Sequence, residues 1–204
     1  MADLQCAARV HVARHGAGTT GESELVSDSG GWLSPAGRDQ SRALGERLVA
    51  ERIARVWSSP MSRAVQTAEI AAAVLGVDVV VREGLRELGV GHAAGTTGDP
   101  DPFADTFAAW LDGDLTARIP GAESGHEVVA RYEAVLLEIA DEHRGEAVLV
   151  VSHGGVMRLA LPALARNLTP GHARGLPLDS CDVVALDADA DGWLVRSWAD
   201  RPLA

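Results

Sequence analysis

Residues 147–164 read AVLVVSHGGVMRLALPAL, and the change of pattern inside this stretch decides the architecture. Ala147 to Ser152 is apolar at consecutive positions, as in a strand covered on both faces and central in its sheet. Gly154-Gly155 then opens a helix. In an open α/β sheet ligands bind beyond the carboxyl ends of the strands, which makes His153, at the junction, a candidate site residue. A helix that starts there aims backbone N–H groups and a dipole end at any nearby anion, and Gly154 belongs to that N-terminus.

The same strand-then-polar arrangement recurs outward along the chain. Ala8 to Ala13, with Val10 and Val12 on one face, runs into Arg14-His15-Gly16. Arg55 to Ser58 runs into Ser58-Ser59-Pro60-Met61-Ser62-Arg63, and Val77 to Val81 precedes Glu87. Ser34 and Pro35 read as N-cap and first residue of a helix to about Glu51, and Ser59-Pro60 repeats that signal for a helix stopped by Gly76. Ser124 and Glu127 form a capping box ahead of a long helix carrying Val128, Tyr132, Val135, Leu136 and Ile139. Phe103, Phe107, Trp110 and Leu111 recur at helical spacing inside a Gly-, Pro- and Asp-rich stretch, predicting a small cap helix. Asp182 to Leu186 and Trp193 to Trp198 predict a closing hairpin. The expectation is one α/β domain, residues 1–204, with a cap insertion at about 89–127.

The chain has 204 residues and 47% hydrophobic content, enough for one well-filled core. A formal net charge of −11 argues against binding nucleic acid or an anionic membrane, which needs a basic face. All eighteen basic residues are arginine. Without lysine there is no phosphate-loop lysine and no Schiff base, which excludes Walker-type ATPases and pyridoxal phosphate enzymes. Arginine suits bidentate recognition of phosphate. No leader-like start and no apolar run of membrane-spanning length are present, so a cytoplasmic protein is expected. Cys6 and Cys181 are far apart, lack metal-ligand spacing and are expected to be reduced.

Converged at one sheet edge, these clusters offer two imidazoles, two guanidiniums and a carboxyl, an inventory that fits phosphoryl transfer through a histidine nucleophile. A neutral His15 could attack phosphorus, and like-charge repulsion from Arg14 and Arg63 would keep it unprotonated. Arg63 lies in the first turn of its helix, against the dipole, which invites an anionic partner; pairing with Glu69 or Glu83 is the plainer alternative. His153 could donate to phosphoryl oxygens, or be a buried histidine satisfied by a carbonyl. Glu87, with a raised pKa, could protonate a leaving oxygen and later deprotonate water; Glu83 and Asp99 are rivals.

The stretches VHVARHG, LSPAGRDQS, VWSSPMSRAVQTAE, LREL with Gly91 and Gly95, PGAES and VLVVSHGG stand in the order of the histidine phosphatase superfamily, and the chain resembles its phosphoglycerate mutase-like branch. The resemblance implies a three-layer α/β/α sandwich with a mostly parallel central sheet. It implies His15 as the phosphate-accepting nucleophile, Arg14, Arg63 and His153 as the phosphate pocket, and Glu87 as the proton donor. The substrate it implies is a small-molecule phosphate ester, with no metal and no organic cofactor. The chain departs from the pattern where relatives carry a threonine and an asparagine after the first glycine; here stand Gly18 and Gly21, with Thr19 or Thr20 able to replace the lost phosphate contact. Ala93-Ala94-Gly95 replaces a frequent Trp-Glu-Gly, which leaves the Glu87 loop less firmly packed.

Other readings compete. Gly16 to Gly21 matches G-x-G-x-x-G after a strand, as in an NADP-binding oxidoreductase, but the last glycine opens a polar linker where a helix is required. Asp187, Asp189 and Asp191 imitate an EF-hand start, with Trp198 where glutamate is needed. His11 is read as a core filler. A mutase needs positive charge in the cap, whereas Asp99, Asp101, Asp105, Asp112, Asp114, Glu123 and Glu127 there face Arg118 alone, so hydrolysis fits better. A non-catalytic module binding phosphorylated ligands is a further alternative, and a homodimer is left open.

Overall fold

The computed structural model describes residues 6–19 and 25–203. In chain order the elements are β1 (Ala8–Arg14), α1 (Pro35–Leu48), β2 (Ile53–Ser58), α2 (Ser62–Leu75), β3 (Val79–Val81), α3 (Ala104–Leu111), α4 (Gly125–Glu142), β4 (Ala147–Ser152), α5 (Gly154–Leu164), β5 (Val183–Asp189), β6 (Gly192–Trp198) and the short β7 (Arg201–Pro202). The strands form one sheet in the order β3-β2-β4-β1-β5-β6-β7. β3, β2, β4 and β1 run parallel, and β5 joins β1 antiparallel to begin the closing hairpin.

Two layers of helix explain the apolar run of β4, which lies between β2 and β1. Val148 and Val150 pack with Tyr132, Leu136 and Ile139 of α4 and Met157 and Ala160 of α5. Leu149 and Val151, on the opposite face, pack with Leu44 and Leu48 of α1 and Ala64, Ala68 and Ala71 of α2. All four β4 side chains are fully buried, each contributing roughly 1.5–3 kcal/mol. The result is the three-layer α/β/α arrangement with a mostly parallel sheet. Among the described residues, no helix is long and apolar enough to cross a membrane.

Helix starts follow the sequence signals with one exception, and α1 gives way to a 3-10 turn, Val49–Glu51, over the last three residues of its expected span. Ser34 Oγ accepts from Gly37 N–H at 3.0 Å and Pro35 starts α1; Ser124 and Glu127 form the capping box of α4. Ser59-Pro60, in contrast, does not open α2, which starts at Ser62 after Met61 with no side-chain cap. Ser59 N–H instead bonds Val151 O at 3.0 Å, extending the β2–β4 ladder and keeping this residue at the sheet edge. β3 is shorter than Val77 to Val81 because Gly76, at φ 72°, and Val77 both donate to Ala72 O to close α2. The hairpin strand β5 continues to Asp189, three residues beyond the expected end.

The first turn of α1 presses on the loop after β1. Ser34 N–H and Oγ both bond Ala17 O, and a Cβ at Gly37 would lie 2.0 Å from that oxygen. Gly37→Ala therefore has to shift backbone that supports the His15 loop. We expect a loss of roughly 1–3 kcal/mol, read as a lower denaturant midpoint at unchanged slope.

Candidate active site

β1 delivers Arg14 and His15 to the carboxyl edge of the sheet, where His15 N–H bonds Ser152 O at 3.0 Å and Arg14 O accepts from Cys181 N–H. The His15 ring is 8% exposed. Its Nδ1–H donates to Gly16 O at 2.7 Å, which leaves the Nε2 lone pair free for chemistry; Arg63 Nε–H approaches that lone pair at 2.8 Å. The His15 pKa falls from 6.5 to about 3, first through burial and then through the Arg63 charge, with Arg14 a smaller contribution. Like-charge repulsion thus acts as the sequence suggests, but behind desolvation.

Arg63 is held by His15 and by Gly30 O, accepted at 2.9 Å from Nη1; it pairs with neither Glu69 nor Glu83. Arg14 Nη1–H donates to Leu178 O at 2.6 Å, and its buried Nε has no partner among the described residues.

His153 is fully buried, with its ring centroid 5.1 Å from that of His15. No carbonyl satisfies it. Its Nε2 lies 2.7 Å from Ser59 Oγ, which already accepts from Met61 N–H. With Nε2 as the acceptor of the serine proton, the imidazole proton sits on Nδ1, which is buried without a partner among the described residues. A neutral ring with a spare donor suits a phosphoryl oxygen; burial, Arg63 and His15 together hold the His153 pKa well below its usual value.

Glu87 follows a single helical turn, Glu83–Leu85, and returns to the start of α5. Its carboxylate accepts from Gly155 N–H at 3.0 Å, Val156 N–H at 2.7 Å and Leu88 N–H at 3.0 Å. A Cβ at Gly155 would sit 2.7 Å from Glu87 Oε1, so the second glycine of HGG makes this approach feasible. The loop itself is tied by Arg131 of α4, which donates to the carbonyls of Gly84, Arg86 and Glu87 and pairs with Glu123 at 2.6 Å. That anchoring stands where Ala93-Ala94-Gly95 suggested looser packing.

A cavity of about 580 Å³ brings most of the pieces together: Arg14, His15, Thr19, Arg63, Glu87 and Gly154 line it, while the fully buried His153, whose ring lies beside that of His15, is not on its wall. Thr20 lies outside the described residues. Rival acids lie elsewhere: Glu83 is an exposed partner of Arg86, and Asp99 is exposed in the cap. The hairpin acids bind arginines, Asp187 with Arg9 and Arg196, Asp189 and Asp191 with Arg166. His11 is buried as read, 3.6 Å from a Glu51 oxygen. Three residues escaped the sequence reading. Ser59 reads locally as a helix-opening residue, Arg131 sits mid-helix without a local signal, and Arg158 lies four residues after Gly154, a helical spacing that places it on the same face.

The model of the histidine phosphatase superfamily (branch 1) matches residues 10–201. A probable phosphoglycerate mutase GpmB from Enterobacter sp. (strain 638) is 30% identical over 199 residues, covering 93% of this chain and 89% of the relative. Among solved structures, the native mycobacterial glucosyl-3-phosphoglycerate phosphatase Rv2419c superimposes with a TM-score of 0.76 at 27% identity, covering 95% of this chain and 99% of that one. The same mycobacterial enzyme in complex with VO3 gives a TM-score of 0.77 at 25% identity, over 93% of this chain and 98% of that one.

Proposed function

The chain belongs to the histidine phosphatase superfamily (branch 1), and from that premise we propose that it is a metal-independent phosphomonoesterase working through a phosphohistidine. The observation that carries this reading is the buried, neutral His15, whose Nε2 lone pair opens on a cavity shared with Arg14, Arg63 and Glu87. Arg14, Arg63 and His153 hold the nonbridging oxygens, and the Arg63 Nε–H that rests on His15 transfers to one of them. Nε2 attacks phosphorus as the P–O ester bond breaks, and Glu87 delivers a proton to the leaving oxygen. Water then gives a proton to Glu87, attacks phosphorus and breaks the P–N bond, releasing phosphate. Most of the acceleration in such a step comes from positioning and charge stabilisation.

A mutase uses the same phosphohistidine, and the named similarity to GpmB favours that second reading. The cap supports hydrolysis: its arginine, Arg118, pairs with Glu127 at 2.8 Å, and Arg174, which reaches the cap from outside it, pairs with Asp112, so both cations are already matched by acids. The testing experiment is a phosphate-release screen of phosphorylated metabolites in EDTA, run beside a mutase assay with 3-phosphoglycerate and its bisphosphate primer. Activity in the mutase assay alone would overturn the hydrolase assignment. Binding of phosphate ligands without any turnover would favour the non-catalytic module. A cytoplasmic setting stays part of the proposal.

The acid role has its own test. Glu87→Ala should lower kcat/KM for an alkyl phosphate by roughly 100- to 10,000-fold and for p-nitrophenyl phosphate, whose leaving group needs little protonation, by far less. Equal losses on both would point to another acid.

A further inference from the structure

Three arginines that are wholly or partly buried have no carboxylate within ion-pair distance among the described residues: Arg14, Arg63 and Arg158. All three line the same cavity. The contrast with the rest of the chain is direct, because Arg55, Arg82, Arg86 and Arg131, also partly buried, are matched by Glu142, Glu138, Glu83 and Glu123. Withdrawing a cation from water without a partner is costly, which makes these three positions candidates for anions brought by a ligand. A transferred phosphoryl group accounts for two of them, Arg14 and Arg63. Arg158 remains.

Arg158 stands against the cap helix α3. Its guanidinium carbon lies 5.1 Å from the centroid of Phe107 in α3, and Nη2–H donates to Ala173 O at 3.2 Å. Its Nε is buried with no partner among the described residues. One aromatic face and one carbonyl therefore hold the group in place while leaving most of its donors uncommitted. A cavity of about 580 Å³ falls in the roughly 300–1,000 Å³ range of small-molecule sites, which leaves room for a leaving group between the phosphoryl position and Arg158.

We propose that Arg158 is a specificity-determining residue that binds a carboxylate on the leaving group, so that the preferred substrate is the phosphate ester of a small hydroxy acid. A planar guanidinium fork matches a carboxylate bidentately. The charge balance also favours one extra negative charge over two: the acidic groups on the cavity wall are Glu87 and Asp179, His15 is neutral, and a second phosphate dianion would meet Asp179 with only Arg158 to offset it. For turnover the inference rests on the phosphatase reading; for binding it does not.

The test uses two esters that share a carbon skeleton. 3-Phosphoglycerate carries a carboxylate where glycerol 3-phosphate carries a hydroxymethyl group. Titration calorimetry on His15→Ala protein, which removes the nucleophile, should show 3-phosphoglycerate binding about tenfold or more tightly than glycerol 3-phosphate, and Arg158→Gln added to that background should bring the two within about twofold. Arg158→Lys keeps the charge without the fork and serves if the glutamine variant does not fold; the preference should then fall by at least half. Equal affinities in the His15→Ala protein, or a preference that survives substitution of Arg158, overturns the inference. Failure of the phosphatase reading looks different: no ester or aryl phosphate would be hydrolysed by the unsubstituted protein, while the binding preference would persist.

Discussion

Replacing His15 by alanine is expected to lower phosphomonoester turnover by at least about a thousandfold and to abolish a covalent phosphoryl-enzyme. The size follows from the role: removing a nucleophile takes away the bond-forming atom, and no other imidazole in the cavity can stand in. His153 is 5.1 Å away by ring centroids, but its Nε2 is engaged with Ser59 and its Nδ1 carries the proton. The measurement is rapid quenching with a radiolabelled ester under basic conditions, in which an N–P bond survives, followed by acid treatment, in which it does not. Unsubstituted protein should retain label through base and lose it in acid; the variant should carry none. Turnover unchanged in the variant would remove the nucleophile assignment, and a large loss of rate with no acid-labile label in the parent would make His15 a general base acting on water.

The residues proposed to carry this chemistry are legible because their positions follow from a repeating rule. A buried strand ends, the chain turns, and a polar group appears; applied to VHVARHG and VLVVSHGG, the rule puts His15 and His153 at one sheet edge, and the structure adds that they follow neighbouring strands, β1 and β4, paired from Arg9–Ala147 to Arg14–Ser152. Long-range detail was less accessible. Ser59-Pro60 carries a local helix-opening signature, and the tertiary ladder to Val151 overrides it, turning the hydroxyl into the partner of His153. Burial is likewise a property of the folded whole, so the sequence suggested charge repulsion as the main influence on His15 while desolvation leads. Arg158 was hidden for a related reason. Its significance lies in having no carboxylate within ion-pair distance among the described residues, and that becomes visible only when the partly buried arginines outside the cavity, Arg55, Arg82, Arg86 and Arg131, are seen to have one.

The same buried histidines make stability depend steeply on acid. In the unfolded chain the His15 pKa returns to 6.5, against about 3 in the fold, so between these values the unfolded state binds the extra proton and acidification favours unfolding. Stability is complete above pH 6.5 and is lost as pH falls toward 3, and His15 alone should cost about 2–3 kcal/mol between pH 7.5 and pH 4.5. His153 and His11 are shifted in the same direction, chiefly by burial, and add to the slope. Carboxylates with lowered pKa, such as Glu127, Glu138 and Asp189, start to contribute only as pH approaches their ordinary values of 4.5 and 3.8, so the window from pH 6.5 to 5 belongs to the histidines. Urea unfolding at pH 7.5, 6 and 5 should therefore show a falling midpoint in the parent protein. Well below pH 6.5, His15→Asn should flatten the dependence by one proton, about 1.4 kcal/mol per pH unit, whatever the substitution does to stability at neutral pH. An identical slope in parent and variant would mean that His15 titrates in the fold as it does in water, and the step assigned to it would then fall away below about pH 6.5.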